Sequence, residues 1–403
     1  MTPDDRWLEW MRLREVLRGR PLPCAFIDMD ALEANLSLLL ARTPAPLRLR
    51  IATQSIRVPA LLRHVAALAG DRLAGWRAFH AEEARMLVEH GLDGILLASP
   101  LASRAEADTV VALVAAGRDI MPMVDCPAHV RLLEAAASAA GVQLRVCVDA
   151  DVSHRPLSIA RPGARRSSIG SVDDALRLVR ALEGAPHLSL VGLMACEAQV
   201  AGRPKRRSRR VETRAAKWLE QRSVRLADQR RNDIVQALRA AGHPITLVSA
   251  GGGGSLQATQ ARAVTEVAAG PGLYAPHLVE GDDDLPLQPA AFFAVQVIRQ
   301  PAPHIITCAG GGYVASGPCG PDRLPTVHAP GDLAPLSADG FGELQTPLRW
   351  SGRGAAPPLG APIICRPAKA GELMEHFERV LWVRGNHIID ETPTYRGLGG
   401  RYL

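Results

Sequence analysis

Side-chain amines are scarce in this chain: among its 47 lysines and arginines, only Lys205, Lys217 and Lys369 are lysine. Chemistry that needs a side-chain amine therefore has three places to stand. Long apolar runs are missing too, and without 18 or more consecutive apolar residues no membrane-spanning helix is expected. The opening MTPDDRWLEWMRLREVLRGR is charged throughout, unlike a secretory signal, so a cytoplasmic address is expected. Seven cysteines (Cys24, Cys126, Cys147, Cys196, Cys308, Cys319 and Cys365) are scattered, an odd number read as having neither a CxxC pair nor Cys/His ligand spacing. That arrangement argues against disulfides and a zinc site and predicts core thiols. Internal repeats and low-complexity blocks are absent.

What is present suits a large globular protein. At 403 residues, 47% hydrophobic and 22% charged, the chain can bury a sizeable core, and its length suggests one large domain with a smaller one. The net charge of +6 is mild, but twelve of the basic residues fall within 203–231, against three acids. Trp218 is the one aromatic in that segment, and Val211, Ala215, Trp218, Val224 and Leu226 allow a helix with one covered face. A solvated or subunit-facing helix is the expected reading, and nucleic acid is not the expected partner.

Short apolar runs at 47–53, 73–79, 93–99, 119–125, 143–149, 188–196, 244–250 and 264–269 read as strands. Between them lie amphipathic stretches at 58–69, 80–90, 103–116, 128–140, 171–183 and 211–241, several of which stop on a glycine such as Gly91, Gly117 or Gly141. A doubly wound open sheet reads βαβα just as a barrel does, and the count of eight strands favours an α/β fold of the (β/α)8 TIM-like barrel type. The barrel is assigned to 24–276, after an N-terminal helical segment over 1–23. Residues 277–403 are rich in Gly and Pro and carry short runs such as AFFAVQVI, HIITCAG, APIICR and RVLWVRG, which predict a C-terminal β domain. The CAFIDMD run at 24–30 is a candidate strand of that domain.

Chemistry in such barrels gathers at the C-terminal ends of the strands, with phosphate commonly held after the last two. Strand seven leads into Ser249-Ala250-Gly251-Gly252-Gly253-Gly254-Ser255, whose glycines let backbone N–H groups approach a dianion. Strand eight leads into Gly270-Pro271-Gly272-Leu273-Tyr274, which adds amides and a phenol.

These loops, PCAFIDMDALEANL and the strand count resemble the pyridoxal-phosphate enzymes of the alanine racemase fold, and within it the D-threonine aldolase and D-serine dehydratase branch. VGLMACEAQVAG, GGGYVASGPCGPDRLP, AKAGELMEH and the ending PTYRG are similar to bacterial amino acid deaminase/aldolase proteins. The resemblance covers nearly the whole chain. It implies a cofactor carried on a lysine at the end of the first barrel strand, and setting that segment against ATQSIRVPAL puts Gln54 in the lysine's slot. Gln has no amine to form a Schiff base. A natural pseudoenzyme, a natural catalyst with non-covalent cofactor, and an engineered substitution all remain open at the level of sequence.

By the same resemblance, Gly251, Gly252, Gly253, Gly254, Ser255, Gly272 and Tyr274 would hold the phosphate. Arg161, or alternatively Arg165, would face the pyridine nitrogen. His154 is a candidate base or ring-stacking group, with a loop histidine of no role as the alternative. Glu197, Gln199 and Asp149 end strands six and five. D-threonine aldolases bind a divalent metal through a histidine and a nearby Cys or Asp in the β domain, where this chain has Pro367-Ala368-Lys369, so no metal is expected there. Lys369 would meet a substrate carboxylate or form a salt bridge, and Tyr313 would enter a neighbouring subunit's site. The implied protein is a homodimeric, pyridoxal-phosphate-dependent aldolase or deaminase acting on D- or β-hydroxy amino acids. The competing reading is a non-catalytic protein that binds a phosphate ligand on the same scaffold.

Overall fold

The computed structural model describes residues 2–152, 166–196, 214–251, 263–279 and 285–402. Eight parallel strands form the barrel: β2 (Arg48–Ala52), β3 (Leu73–Ala78), β4 (Ile95–Pro100), β5 (Ile120–Val124), β6 (Leu144–Asp149), β7 (Leu188–Met194), β8 (Leu247–Ala250) and β9 (Glu266–Ala269), the earlier β1 (Cys24–Asp28) lying elsewhere. The ring closes where β9 pairs with β2, Glu266 opposite Arg48 and Ala269 opposite Ile51. That pairing excludes the open-sheet alternative. Side chains alternate along each strand. Leu49, Ile51, Ile95, Leu97, Val146 and Val148 join the main core, while Leu96, Met121, Met123, Cys147 and Met194 form a separate cluster that fills the barrel.

Helices surround the ring: α2 (Met29–Arg42, after α1 at Pro3–Val16), α3 (Pro59–Ala69), α4 (Ala81–Glu89), α5 (Arg104–Ala115), α6 (Pro127–Ala140), α7 (Val172–Leu182) and α8 (Arg214–Ala240). The long α8 corrects the reading of the basic segment at its last residue. Arg231 is fully buried and donates from Nε and Nη2 to the Ala195 carbonyl at 3.2 and 3.0 Å, tying α8 to the end of β7. Residues 203–213 lie outside the described residues.

The N-terminal end of the barrel is plugged by a buried ion pair. Arg50 Nε and Nη2 meet the two Glu266 oxygens at 2.6 and 2.9 Å, and the guanidinium also donates to the carbonyls of Ala74, Trp76 and Gly94. Gly75 makes this approach possible: at φ +123° it carries no Cβ, and one would stand 2.2 Å from the Gly94 oxygen.

The remaining strands form one nine-stranded sheet. They are β10 (Ala291–Ala302), β11 (Ile305–Ala309), β12 (Thr326–Ala329), β13 (Leu333–Pro335), β14 (Gln345–Trp350), β15 (Pro362–Arg366), β16 (Arg379–Arg384) and β17 (His387–Pro393), with β1 seated between β10 and β16. The CAFIDMD run gives a strand only as far as Asp28, because the Asp28 carboxylate accepts from the Ala31 N–H at 3.0 Å and starts α2. Two anchors join the parts. Trp10 of α1 donates its indole N–H to the Pro362 carbonyl at 2.7 Å, and Asn35 of α2 bonds to the backbone of both Leu273 and Gln288.

Among the cysteines, Cys147, Cys308 and Cys365 are buried, Cys24, Cys126 and Cys196 half-buried, and Cys319 exposed. The core-thiol expectation thus describes three of the seven.

Candidate functional site at the barrel mouth

The turn after β2 is held from several sides. Thr53–Ser55 makes a single 3-10 turn, and Arg57 follows in the left-handed region at φ +55°, a conformation costly for a residue with a Cβ. Four contacts fix it. Arg57 N–H donates to Thr53 O at 2.9 Å, Arg57 Nε to Gln54 O at 3.1 Å, and Arg57 Nη1 pairs with Glu375 at 2.7 Å, while Tyr395 N–H donates to Arg57 O at 2.9 Å. Glu375 and Tyr395 come from the second sheet's connections, so both halves of the molecule shape this turn. Beneath it, Glu83 accepts from Phe79 N–H and Tyr395 Oη and sits 2.6 Å from Thr53 Oγ1. Burial pushes the Glu83 carboxyl up.

Three polar atoms at the mouth have no partner. Gln54 Oε1 at the end of β2, Arg77 Nε on β3 and Ser249 Oγ on β8 are all buried without a hydrogen bond. Buried polar groups left this way are uncommon and costly, and others among the described residues, such as Arg72 Nε and His243 Nε2, lie elsewhere. On the facing strands, Arg77 Nη1 reaches the Cys196 thiol at 3.5 Å. Burial first, then the Asp125 carboxylate, push the Asp149 carboxyl up to about 7 against the pull of Arg166 and Arg77.

The glycine-loop candidates divide. Gly251 is at φ +76°, a left-handed conformation suited to glycine, whereas Gly252, Gly253, Gly254 and Ser255 lie outside the described residues, as do His154, Arg161, Arg165, Glu197 and Gln199. Tyr274 is fully buried and spends its hydroxyl proton on the Ile56 carbonyl at 2.9 Å. Gly272 packs toward leucine: a Cβ there would meet Leu287 at 3.3 Å and Leu39 at 3.4 Å. Gly270, named in the same loop but not among the phosphate-holding residues, is the glycine that faces the mouth turn, for its Cβ would stand 2.7 Å from Ser55 Oγ.

Tyr313 and Lys369 share a small cleft beside the second sheet with Glu372 and His376. Its free volume is about 10 Å³, room for one water. The Lys369 ammonium donates to Ser316 Oγ at 2.6 Å and pairs with Glu372 at 3.0 Å, which is the salt-bridge alternative of the two considered for it. Tyr313 is packed by Phe293, His376 and Phe377 at ring distances of 4.9, 4.8 and 5.3 Å. The cleft adjoins the mouth through Gly371, where a Cβ would fall 2.0 Å from the Gln54 carbonyl oxygen.

A third cluster sits where β5 gives way to α6. Asp125 Oδ1 lies 2.9 Å from His129 Nδ1, and Cys126 Sγ lies 3.4 Å from the same nitrogen. Among the described residues, this is the group whose ligand atoms all fall within 4.8 Å of one another. This corrects the sequence expectation that no cysteine has Cys/His ligand spacing: Cys126-x-x-His129 is such a spacing, and Asp125 joins it through the geometry of the strand end.

Against known families, residues 27–277 match the model of the alanine racemase N-terminal domain. The chain belongs to that family. No curated protein matches it in sequence. Among solved structures, it is similar to D-threonine aldolase from Filomicrobium marinum at 20% identity, covering 94% of this chain and 95% of that one with a TM-score of 0.78. D-threo-3-hydroxyaspartate dehydratase from Delftia sp. HT23 follows at 20% identity, covering 94% and 98% with a TM-score of 0.74. Alanine racemase from Clostridium difficile 630, solved with cycloserine, gives 12% identity, 93% and 99% coverage and a TM-score of 0.69. At these identities the likeness carries the fold. Among the described residues, no helix is long and apolar enough to cross a membrane.

Proposed function

We propose that this member of the alanine racemase family is a pyridoxal-phosphate-dependent aldolase or deaminase-type protein for D- or β-hydroxy amino acids that holds its cofactor without a covalent bond at Gln54. The observation that carries the proposal is the trio of buried, unpartnered polar atoms on Gln54, Arg77 and Ser249 at one end of the barrel. They suit a ligand rich in polar groups. The names of the two aldolase and dehydratase structures support the substrate class, since both describe β-hydroxylated D-amino acids.

Pyridoxal phosphate, when bound, supplies an electron sink for breaking a bond at the amino acid's Cα. The chain's own residues would do the rest. Gln54 and Ser249 would orient polar groups, and Arg77 would face a negative charge. Asp149, with its carboxyl near neutrality, would hold or release a proton at its own oxygen. Gly251 and the following glycines would receive the phosphate. Gln54 offers no amine for a covalent link to the cofactor. A homodimer belongs to this reading through Tyr313.

The test is titration of the purified protein with pyridoxal phosphate, followed by visible absorbance and calorimetry, then borohydride reduction and peptide mapping. Saturable binding that dialysis reverses, with no pyridoxyl peptide, is the expected result. Gln54→Lys should convert that binding into a borohydride-trapped adduct at position 54. A pyridoxyl group on Lys369 would move the site into the cleft. Failure to bind pyridoxal phosphate more tightly than inorganic phosphate would favour the non-catalytic phosphate binder.

A further inference from the structure

We propose that Asp125, Cys126 and His129, none of them assigned to the cofactor, form a site for a zinc-class divalent cation at the C-terminal end of β5. The proposal does not rest on pyridoxal phosphate. A carboxylate, a thiolate and an imidazole are the ligand types zinc takes, at about 2.0–2.3 Å, and tetrahedral bonds of those lengths set O···N near 3.3 Å and N···S near 3.5 Å. The unliganded distances are 2.9 and 3.4 Å, so the cluster is within a few tenths of an ångström of those separations.

An ordinary helix start is the competing explanation, since His129 in the first turn of α6 also accepts from the Asp125 backbone N–H at 3.4 Å through Nδ1, but it leaves the thiol without a role. Cys126 occupies the N-cap of α6 but makes no side-chain cap bond, so its thiol is not spent on the helix start. The strand-to-helix corner is fixed independently by Ser168 Oγ, which donates to the Asp125 carbonyl at 2.6 Å. With both acidic ligands deprotonated the site carries two negative charges, which match a divalent cation. His129 and Asp125 keep 22% and 11% of their side-chain surface exposed, so solvent reaches the cluster. Three protein ligands with one open position is the pattern of a reactive zinc site, and this one stands at a strand's C-terminal end, where barrel chemistry gathers. Binding would release the Cys126 proton.

Cobalt(II) is the probe, because a thiolate ligand gives it a sulfur-to-metal charge-transfer band. Chelator-treated full-length protein titrated with cobalt(II) should take up one equivalent, show that band together with tetrahedral visible absorption, and lose both on adding zinc(II). Cys126→Ser should abolish the band, and His129→Gln should weaken binding at least tenfold. Cys319→Ser, which changes an exposed cysteine elsewhere, should leave the titration unchanged. Circular dichroism and a thermal melt of each variant check folding. A parent protein with no charge-transfer band at millimolar cobalt(II), or a band that persists in Cys126→Ser, would overturn the site.

Discussion

The two ends of the barrel use the same strands to opposite effect. At the N-terminal end, Arg50 on β2 finds Glu266 on β9 and three carbonyls around β3 and β4, leaving no nitrogen of the guanidinium unpaired. At the C-terminal end, Gln54 after β2, Arg77 on β3 and Ser249 on β8 each keep a buried polar atom without a partner. A closed polar network stabilises and specifies the fold; an open one costs stability and persists where something else completes it. The plugged end is not wholly satisfied, since Arg72 Nε and His243 Nε2 just before β3 and β8 are also unpartnered, so the contrast rests on the Arg50 network against the trio after β2, on β3 and on β8.

The largest effect should come from breaking the satisfied end. Glu266→Ala leaves the Arg50 guanidinium buried without its counter-ion, and such truncations cost about 3–5 kcal/mol. Urea denaturation should show that loss with little change in the slope of the transition. Replacing both partners, Arg50→Met with Glu266→Leu, should recover most of it, since the penalty lies in the orphaned charge. A single truncation costing under about 1 kcal/mol would show that the plug is not a stabilising network.

At the mouth, Asp149 gives a smaller effect with a definite sign. Its folded carboxyl, raised to about 7 from 3.8, binds a proton that the unfolded chain has already lost. Stability should therefore fall as pH rises from about 4 through about 7, and Asp149→Asn should remove that part of the slope. The variant should match the parent near pH 4 and exceed it near pH 8, by at most the roughly 4 kcal/mol that the full shift is worth and by less where solvent screens the charge. Identical pH–stability curves would mean that Asp149 ionises freely and has no neutral form to offer.

How much of this contrast could be read from the sequence depends on periodicity. The eight strands were legible because barrel strands buried on both faces form apolar runs, and Gly91, Gly117 and Gly141 stop the helices at positive φ. The strands β12, β13 and β14 were not, because they are short or interrupted by proline at Pro335 and Pro347 and lack a clean alternation. Gln54 was found through the family resemblance, which sets a lysine in its slot. Arg77 and Ser249 as unpartnered groups were beyond reach, since nothing along the chain says which buried atoms will lack partners. Gly270 was overshadowed by the more conspicuous Gly272, although only the packing of β9 against the β2 turn distinguishes their roles. Arg231 reads as one more surface charge until α8 carries it onto the Ala195 carbonyl.

The smallest predicted change in stability is the sharpest probe of the comparison, because its sign is reversed. Ser249 is fully buried, and its hydroxyl has no partner, while its carbonyl accepts from the Ala195 N–H at 2.9 Å and would keep that bond in any variant. Ser249→Ala thus deletes an unsatisfied group and leaves the strand pairing alone. An unpaired buried hydroxyl costs about 1–3 kcal/mol relative to a paired one, and part of that is returned when the group is removed. The variant should be as stable as the parent or more stable by up to about 1 kcal/mol. If the hydroxyl completes its bonding on a ligand, pyridoxal phosphate should bind several-fold more weakly to that more stable protein. Gain of stability with loss of affinity is a signature that a structural residue does not give. A Ser249→Ala protein destabilised by more than about 1 kcal/mol would mean that the hydroxyl already has a structural role, and the mouth would then be no more open than the plugged end.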